Sequence, residues 1–450
     1  MSSAIEQMTQ NASWGALAKA TELKQRIWFV LGALLVYRLG TYIPVPGIDP
    51  NAWGSFFEQS GGGILDMFNM FAGGALQRMT IFTLGILPYI SASIIMQLAT
   101  AMFPSLEALK KEGETGRMKI NQYTRYLTVL LASVQAWGVA VGMENATSSV
   151  GPIVPDPGFF FRISVVITLV GGTVFLMWLG EQITARGIGN GISLIIFAGI
   201  VAELPNAIAA LLQLNMEKGG NFLELALLFG MAVITIMFIV FMERAQRRVV
   251  VQYPKRQVGN KMYGGDSNHI PLKLNTAGVI PPIFASSLLL LPITVAGLGG
   301  IEGEGIMADI SRYLAHGQPI YMLTYGALIA FFAFFYTAIV FNPQDNAENL
   351  KKYGGFIPGI RPGKNTADYL DYVLTRITVI GAAYLVLICL LPELLISQYN
   401  MPFYFGGTSL LIVVTVTMDT VAQIHSHLIA HQYEGLIKKA KLRGSGRRRK

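Results

Sequence analysis

From Ile27 to Ile429 the chain repeats one pattern: an apolar run long enough to cross a bilayer, then a polar gap. Ten such runs can be marked, at about Ile27–Ile43, Leu76–Met102, Tyr126–Val141, Phe159–Leu179, Ile192–Leu214, Phe222–Met242, Val279–Leu298, Ile320–Phe341, Ile377–Ile396 and Thr408–Ile429. Runs of about 18 or more residues with few charges read as spanning helices. Composition agrees, with 52% apolar and only 13% charged residues, against about 25% charged in a soluble domain. The 48 glycines are scattered through the apolar segments, which points to close helix packing rather than low complexity. Cys389, the single cysteine, lies in an apolar run; it reads as a small buried hydrophobe and excludes an intramolecular disulfide. The first run follows about 26 residues, several acidic or polar, without a cleavage site after it, so it reads as a retained span.

Lys and Arg fix the orientation. The odd-numbered gaps hold few of them, whereas the second carries Lys110, Lys111, Arg117, Lys119 and Arg125. The sixth carries Arg244, Arg247, Arg248, Lys255, Arg256, Lys261 and Lys273, and the eighth Lys351, Lys352, Arg361, Lys364 and Arg376. The tail ends Arg447-Arg448-Arg449-Lys450. This alternation keeps phase through all ten spans, which places both termini and the basic loops in the cytoplasm. Five spans per half is an odd number, so the halves enter the membrane from opposite sides, a parity that an inverted repeat would need.

Some segments break the pattern. Ser55–Gly74 is apolar but interrupted by Gly61-Gly62-Gly63, and what remains is too short to span. It reads either as an amphipathic helix on the outer surface or as a re-entrant segment dipping into a cavity between helices. Pro88 and Pro281-Pro282 are expected to kink the second and seventh spans. Of the charges inside spans, Arg38 and Glu393 are expected to snorkel to the interface, and Asp419 to hydrogen-bond across a helix interface. His425, His427 and His431 read as interfacial histidines, since no third ligand of fixed geometry accompanies the helical pair His427 and His431. Gly187-Ile188-Gly189-Asn190-Gly191 reads as a tight cytoplasmic turn rather than a nucleotide-binding loop. No Walker loop, zinc helix or nucleophile elbow is present, so neither an enzyme nor a cofactor is expected. A secondary transporter of a small solute is the rival class, and it would require a polar midplane site with coupling carboxylates.

Several stretches resemble the SecY family, the central channel subunits of the bacterial Sec translocon. They are Gly85-Ile86-Leu87-Pro88-Tyr89-Ile90-Ser91-Ala92-Ser93-Ile94-Ile95, Trp178-Leu179-Gly180-Glu181-Gln182-Ile183-Thr184 with the glycine-rich turn after it, and Glu243-Arg244-Ala245-Gln246-Arg247-Arg248. Phe341-Asn342-Pro343, Gly359-Ile360-Arg361-Pro362-Gly363 and Pro402-Phe403-Tyr404-Phe405-Gly406-Gly407-Thr408 extend the likeness along essentially the whole chain.

The resemblance implies an all-α polytopic membrane protein, with ten transmembrane helices in two inverted five-helix halves, a clamshell around an hourglass pore with a re-entrant plug helix. The halves would be 27–214, with the plug at about 64–76, and 215–429, with large cytoplasmic loops at about 243–277 and 342–376. A cytoplasmic segment 1–26 would precede them and a basic tail 430–450 follow. The pore ring implied is Ile86, Ile90, Ile192, Ile196, Ile283 and Ile412, and the plug Ile64, Leu65, Asp66, Met67, Phe68, Asn69, Met70 and Phe71. The second, third, seventh and eighth spans would form a lateral gate. Arg247, Arg248, Lys255, Arg256, Lys261, Arg361 and Lys364 would dock cytoplasmic partners, although Asn260-Lys261 stands where the family often carries two adjacent basic residues. The function implied is a protein-conducting channel in the inner membrane. It would pass unfolded secretory polypeptides and release transmembrane segments into lipid. Its implied partners are SecE-like and SecG-like small subunits, the SecA motor ATPase, the ribosome with its RNA, signal peptides, nascent polypeptides and membrane lipids.

Overall fold

The computed structural model describes residues 21–59, 69–145, 147–148, 151–217, 222–253, 256–258, 261–263, 267–298, 318–399 and 407–445. Each of the ten apolar runs contains or becomes a helix. The first is α1 (Thr21–Gly40), followed by the short α2 (Pro50–Gln59). Then come α3 (Leu87–Met102), α4 (Pro104–Lys111), α5 (Glu114–Asn145), a small ribbon β1–β2 (Thr147–Ser148 with Gly151–Pro152), α6 (Phe159–Arg186), α7 (Gly191–Glu217) and α8 (Phe222–Arg244). Strands β3 (Gln246–Gln252), β4 (Arg256–Val258), β5 (Lys261–Tyr263) and β6 (Ser267–Lys273) occupy the sixth gap. The chain closes with α9 (Ile280–Leu298), α10 (Pro319–Val340), α11 (Pro343–Lys352), α12 (Lys364–Tyr399) and α13 (Gly407–Ser445). Among the described residues, six helices are by themselves long and apolar enough to cross a membrane.

The second span is shorter than its apolar run. Residues 72–86 form successive turns, and helix begins only at Leu87. Positive φ at Gly73, Gly74, Met79 and Gly85 prevents a helix from starting earlier. Backbone of this kind survives at membrane depth only where the protein satisfies it. Here the Trp53 indole N–H donates to the Leu76 carbonyl at 2.8 Å, and the Thr83 hydroxyl donates to the Thr80 carbonyl at 2.6 Å. Pro88 therefore sits in the first turn of α3, where no backbone donor is required, and does not kink it. Pro281 and Pro282 likewise fall in the first turn of α9, and prolines further inside helices include Pro205, Pro292 and Pro392. At Phe103 the chain turns through 98° into α4, which buries none of its residues.

The helices pack as two groups of five with one repeated order. In the first, α3 packs on α5, α5 on α6 and α6 on α7; in the second, α9 packs on α10, α10 on α12 and α12 on α13. The groups meet along two seams, α9 against α3 and α5, and α7 against α13. This is the clamshell, built from two halves that repeat one packing scheme.

Candidate functional site: an apolar constriction and a basic platform

Isoleucines one helical turn apart share a face, and two such pairs point inward here. Ile86 is the N-cap of α3 and Ile90 lies in its first turn, while Ile192 and Ile196 come from the start of α7. Ile283 on α9 and Ile412 on α13 complete the set. All six belong to one contiguous apolar cluster; five are buried, and Ile192 is half-buried against them. The four contributing helices stand in equivalent places in the two halves. Met70, Phe71, Ala72 and Ala75 belong to the same cluster, so the described end of the expected plug shares one apolar core with the ring. Asn69 is buried, and its side-chain carbonyl accepts from the Gln77 amide at 2.9 Å. Ile64, Leu65, Asp66, Met67 and Phe68 lie outside the described residues.

A polar cavity of about 270 Å³ opens on the basic-loop side of the ring, lined by Asn190, Ser193, Glu243, Asn275, Asp419 and Gln423 among others. Asp419 is exposed to this space, rather than bonded across a helix interface as expected. Glu243 is buried and accepts from the Asn275 amide, which also donates to the Gly278 carbonyl at 3.1 Å. That pair ties the end of α8 to the entry of α9. A second cavity, of about 470 Å³, lies between α3, α4, α5 and the end of α10. It is therefore at the basic-loop end of the expected lateral gate, with Lys110 and Arg117 in its wall.

The basic loops converge on one platform. Strands β3 and β6 pair antiparallel from Gln246–Lys273 to Gln252–Ser267. Val249, Val251 and Leu272 turn inward onto Leu370, Val373 and Ile377 of α12, which leaves Arg247 and Arg248 exposed. Gln252 and Phe356 exchange backbone hydrogen bonds at 2.8 and 2.9 Å, clipping the ribbon to the loop that carries Arg361. Arg361 and Lys364 are exposed, and the Thr366 hydroxyl holds the Arg361 carbonyl at 3.0 Å. Arg256 and Lys261 lie on the paired strands β4 and β5, while Lys255 falls outside the described residues. On exposed α4, the Lys111 ammonium bonds Glu107 at 2.8 Å and holds its carboxyl below the usual range.

A second expectation for a charge changes, beside that for Asp419. Arg38 does not snorkel freely: it donates to the Gly73 carbonyl at 2.7 Å and approaches Glu203, a buried carboxylate on α7 that the sequence reading passes over. The signal for Glu203 was present, since an ionisable residue inside an apolar run is a functional candidate by default. His425 and His427 are exposed on α13, which also carries His431, and Glu393 falls on α12. The tight turn expected at 187–191 is present: a Cβ on Gly191 would sit 2.0 Å from the Gly180 carbonyl oxygen.

The SecY family model matches residues 80–421. The chain belongs to the SecY family. A relative from Rickettsia bellii, named Protein translocase subunit SecY, is 56% identical over 97% of this chain and 100% of its own length. One of the same name from Escherichia coli K12 is 55% identical over 95% of this chain and 96% of its own. Among solved structures, "The structure of a protein conducting channel" matches with a TM-score of 0.63 at 19% identity, covering 89% of this chain and 92% of the other. "Sec61 in the Canine ribosome-channel complex from the endoplasmic reticulum" matches with a TM-score of 0.61 at the same identity and coverage. At such identity these two structures establish the SecY fold alone.

Proposed function

We propose that this SecY-family chain is the pore-forming subunit of a protein-conducting channel in a bacterial inner membrane, with its termini and basic platform cytoplasmic. In this reading 27–214 and 215–429 are the two halves, and 1–26 and 430–450 are cytoplasmic extensions. One observation carries the reading: six isoleucines from equivalent helices of both halves gather in one apolar cluster, between a polar cavity and the end of the plug segment. A narrow apolar constriction blocks hydrated ions by dewetting. Isoleucine is stiff at its first side-chain torsion and offers no hydrogen bonds, so it can close around an extended chain without selecting its sequence. The plug, residues 64–71, occludes the ring at rest. The seam of α9 with α3 and α5 is where an apolar substrate helix exits by partition, in proportion to its apolar area.

The chain is a passive conductor and no enzyme; SecE-like and SecG-like subunits complete it, and SecA or the ribosome drives it. Exposed Arg247, Arg248, Arg361 and Lys364 suit acidic protein surfaces and RNA phosphates, with salt-dependent affinity. Neither the relatives nor the structural neighbours lend support to a small-solute transporter. Reconstituted with its small subunits, the chain should move a secretory precursor into vesicles only when SecA and ATP are present. Solute uptake by the chain alone, without precursor transport, would overturn the proposal.

A further inference from the structure

On the side of the constriction away from the polar cavity, α1 and α7 close on two glycines. Gly73 and Gly74 have φ of +66° and +80°, where L side chains are strained. The Tyr37 hydroxyl donates to the Ala72 carbonyl at 3.2 Å, and the Arg38 guanidinium to the Gly73 carbonyl at 2.7 Å. From α7, Gly199 and Glu203 form the seat. A Cβ on Gly73 would lie 2.9 Å from the Gly199 Cα, and one on Gly74 only 2.2 Å from Glu203 Oε1. The turn is thus clasped on both faces, with α7 backbone against Gly73 and the Glu203 carboxyl against Gly74.

The clasp is electrostatic. Glu203 is buried, and its Oε2 accepts from the Asn206 amide at 3.1 Å. Its Oε1 has no hydrogen-bond donor; Arg38 Nη2 stands 4.0 Å away. Arg78 Nη1, also buried and unbonded, lies 3.7 Å from the same ideal Gly74 Cβ position, and its guanidinium stacks 4.4 Å above the Tyr42 ring. A buried carboxylate is costly unless countered by opposite charge, and Arg38 is the cation that faces Glu203 across the turn. Residues 72–74 join Met70 and Phe71, which share the apolar core of the ring, to the turns that lead into α3. Displacing the first pair therefore means pulling this turn off its seat.

We propose that Arg38 and Glu203 are a latch: they pin the 72–74 turn to α1 and α7, and so set how strong a signal segment must be before the plug yields. Neither residue touches substrate; both are positioning residues that determine specificity. The inference rests on the plug and channel reading above.

The test uses the assembled complex in vesicles, with two precursors: one with an intact signal segment and one with a polar residue placed in its apolar stretch. The Arg38 guanidinium bonds the Gly73 carbonyl directly, so Arg38→Gln should raise transport of the weakened precursor about tenfold; Glu203→Gln, which removes only the charge facing Arg38, should act in the same direction by a smaller factor. The intact precursor should change less than about twofold, since its own insertion already exceeds the threshold. Backbone amides of 72–76 should exchange faster in both variants, while those of α12 do not. Gly73→Ala keeps both charged residues but sets a methyl group 2.9 Å from the Gly199 Cα, a backbone atom, so it should wedge the turn from its seat and act in the same direction; it serves where Glu203→Gln fails to assemble. Unchanged transport of the weakened precursor in assembled Arg38→Gln and Gly73→Ala complexes would refute the latch. If the unmodified complex moves neither precursor, the channel reading fails instead.

Discussion

Gly191 and Gly142 show how differently one residue type is used in this chain. At Gly191 the α6–α7 turn draws two backbones together, so that an added Cβ would strike the Gly180 carbonyl; at Gly142 on α5 an added Cβ meets nothing within 4 Å. Small residues permit such approach in membrane helices, where packing replaces the hydrophobic drive between helices. Gly191→Ala should therefore destabilise the complex by about 1–3 kcal/mol through overpacking, read as a lower Tm, whereas Gly142→Ala should cause no loss. Equal losses at both positions would refute the close-approach argument. Residue pairs are also where sequence is least legible. Arg38 and Glu203 sit in different apolar runs, and nothing in their spacing announces that a turn between the first two spans brings them together.

At the scale of elements, apolar runs are easy to read and irregular backbone is not. The run from Leu76 promised a helix, but the chain uses its first part as buried turns, because Gly73, Gly74, Met79 and Gly85 adopt φ values that helices exclude. The β3–β6 ribbon is hard to read from sequence because few residues, chiefly Val249, Val251 and Leu272, carry its buried face, and the surrounding charges read first as topology signals. Its clip to the Arg361 loop is testable. A Cβ on Gly355 would lie 2.9 Å from the Tyr253 ring, so Gly355→Val should part the two loops at an overpacking cost of about 1–3 kcal/mol. Affinity for SecA should then fall about tenfold for each 1.4 kcal/mol that reaches the docking geometry, with resting ion leak unchanged. Direct charge reversal, Arg361→Glu, should weaken binding too, and flatten its salt dependence. Binding that is unaffected by either change would remove the platform from the docking assignment.

For the whole molecule, the repeated packing order gives meaning to where the ring residues come from. Topological parity allows inverted halves; the structure supplies matching contacts, α3 with α9 and α7 with α13 as counterparts. The ring then draws Ile86, Ile90, Ile192 and Ile196 from one half, and Ile283 and Ile412 from the other, all in one cluster. Periodicity could not select these six among the many isoleucines of the spans; the family resemblance proposed them, and all six belong to one apolar cluster. A seal shared across a two-part shell should fail cooperatively. One polar substitution still leaves the remaining apolar side chains to exclude water, but two on opposed helices give water a continuous polar foothold. Ile86→Ser and Ile412→Ser alone should each raise resting conductance in planar bilayers modestly, and the double variant should exceed their sum, as coupled sites do. Strict additivity would mean that the two positions line separate paths, and the single constriction inferred from this cluster would have to be abandoned.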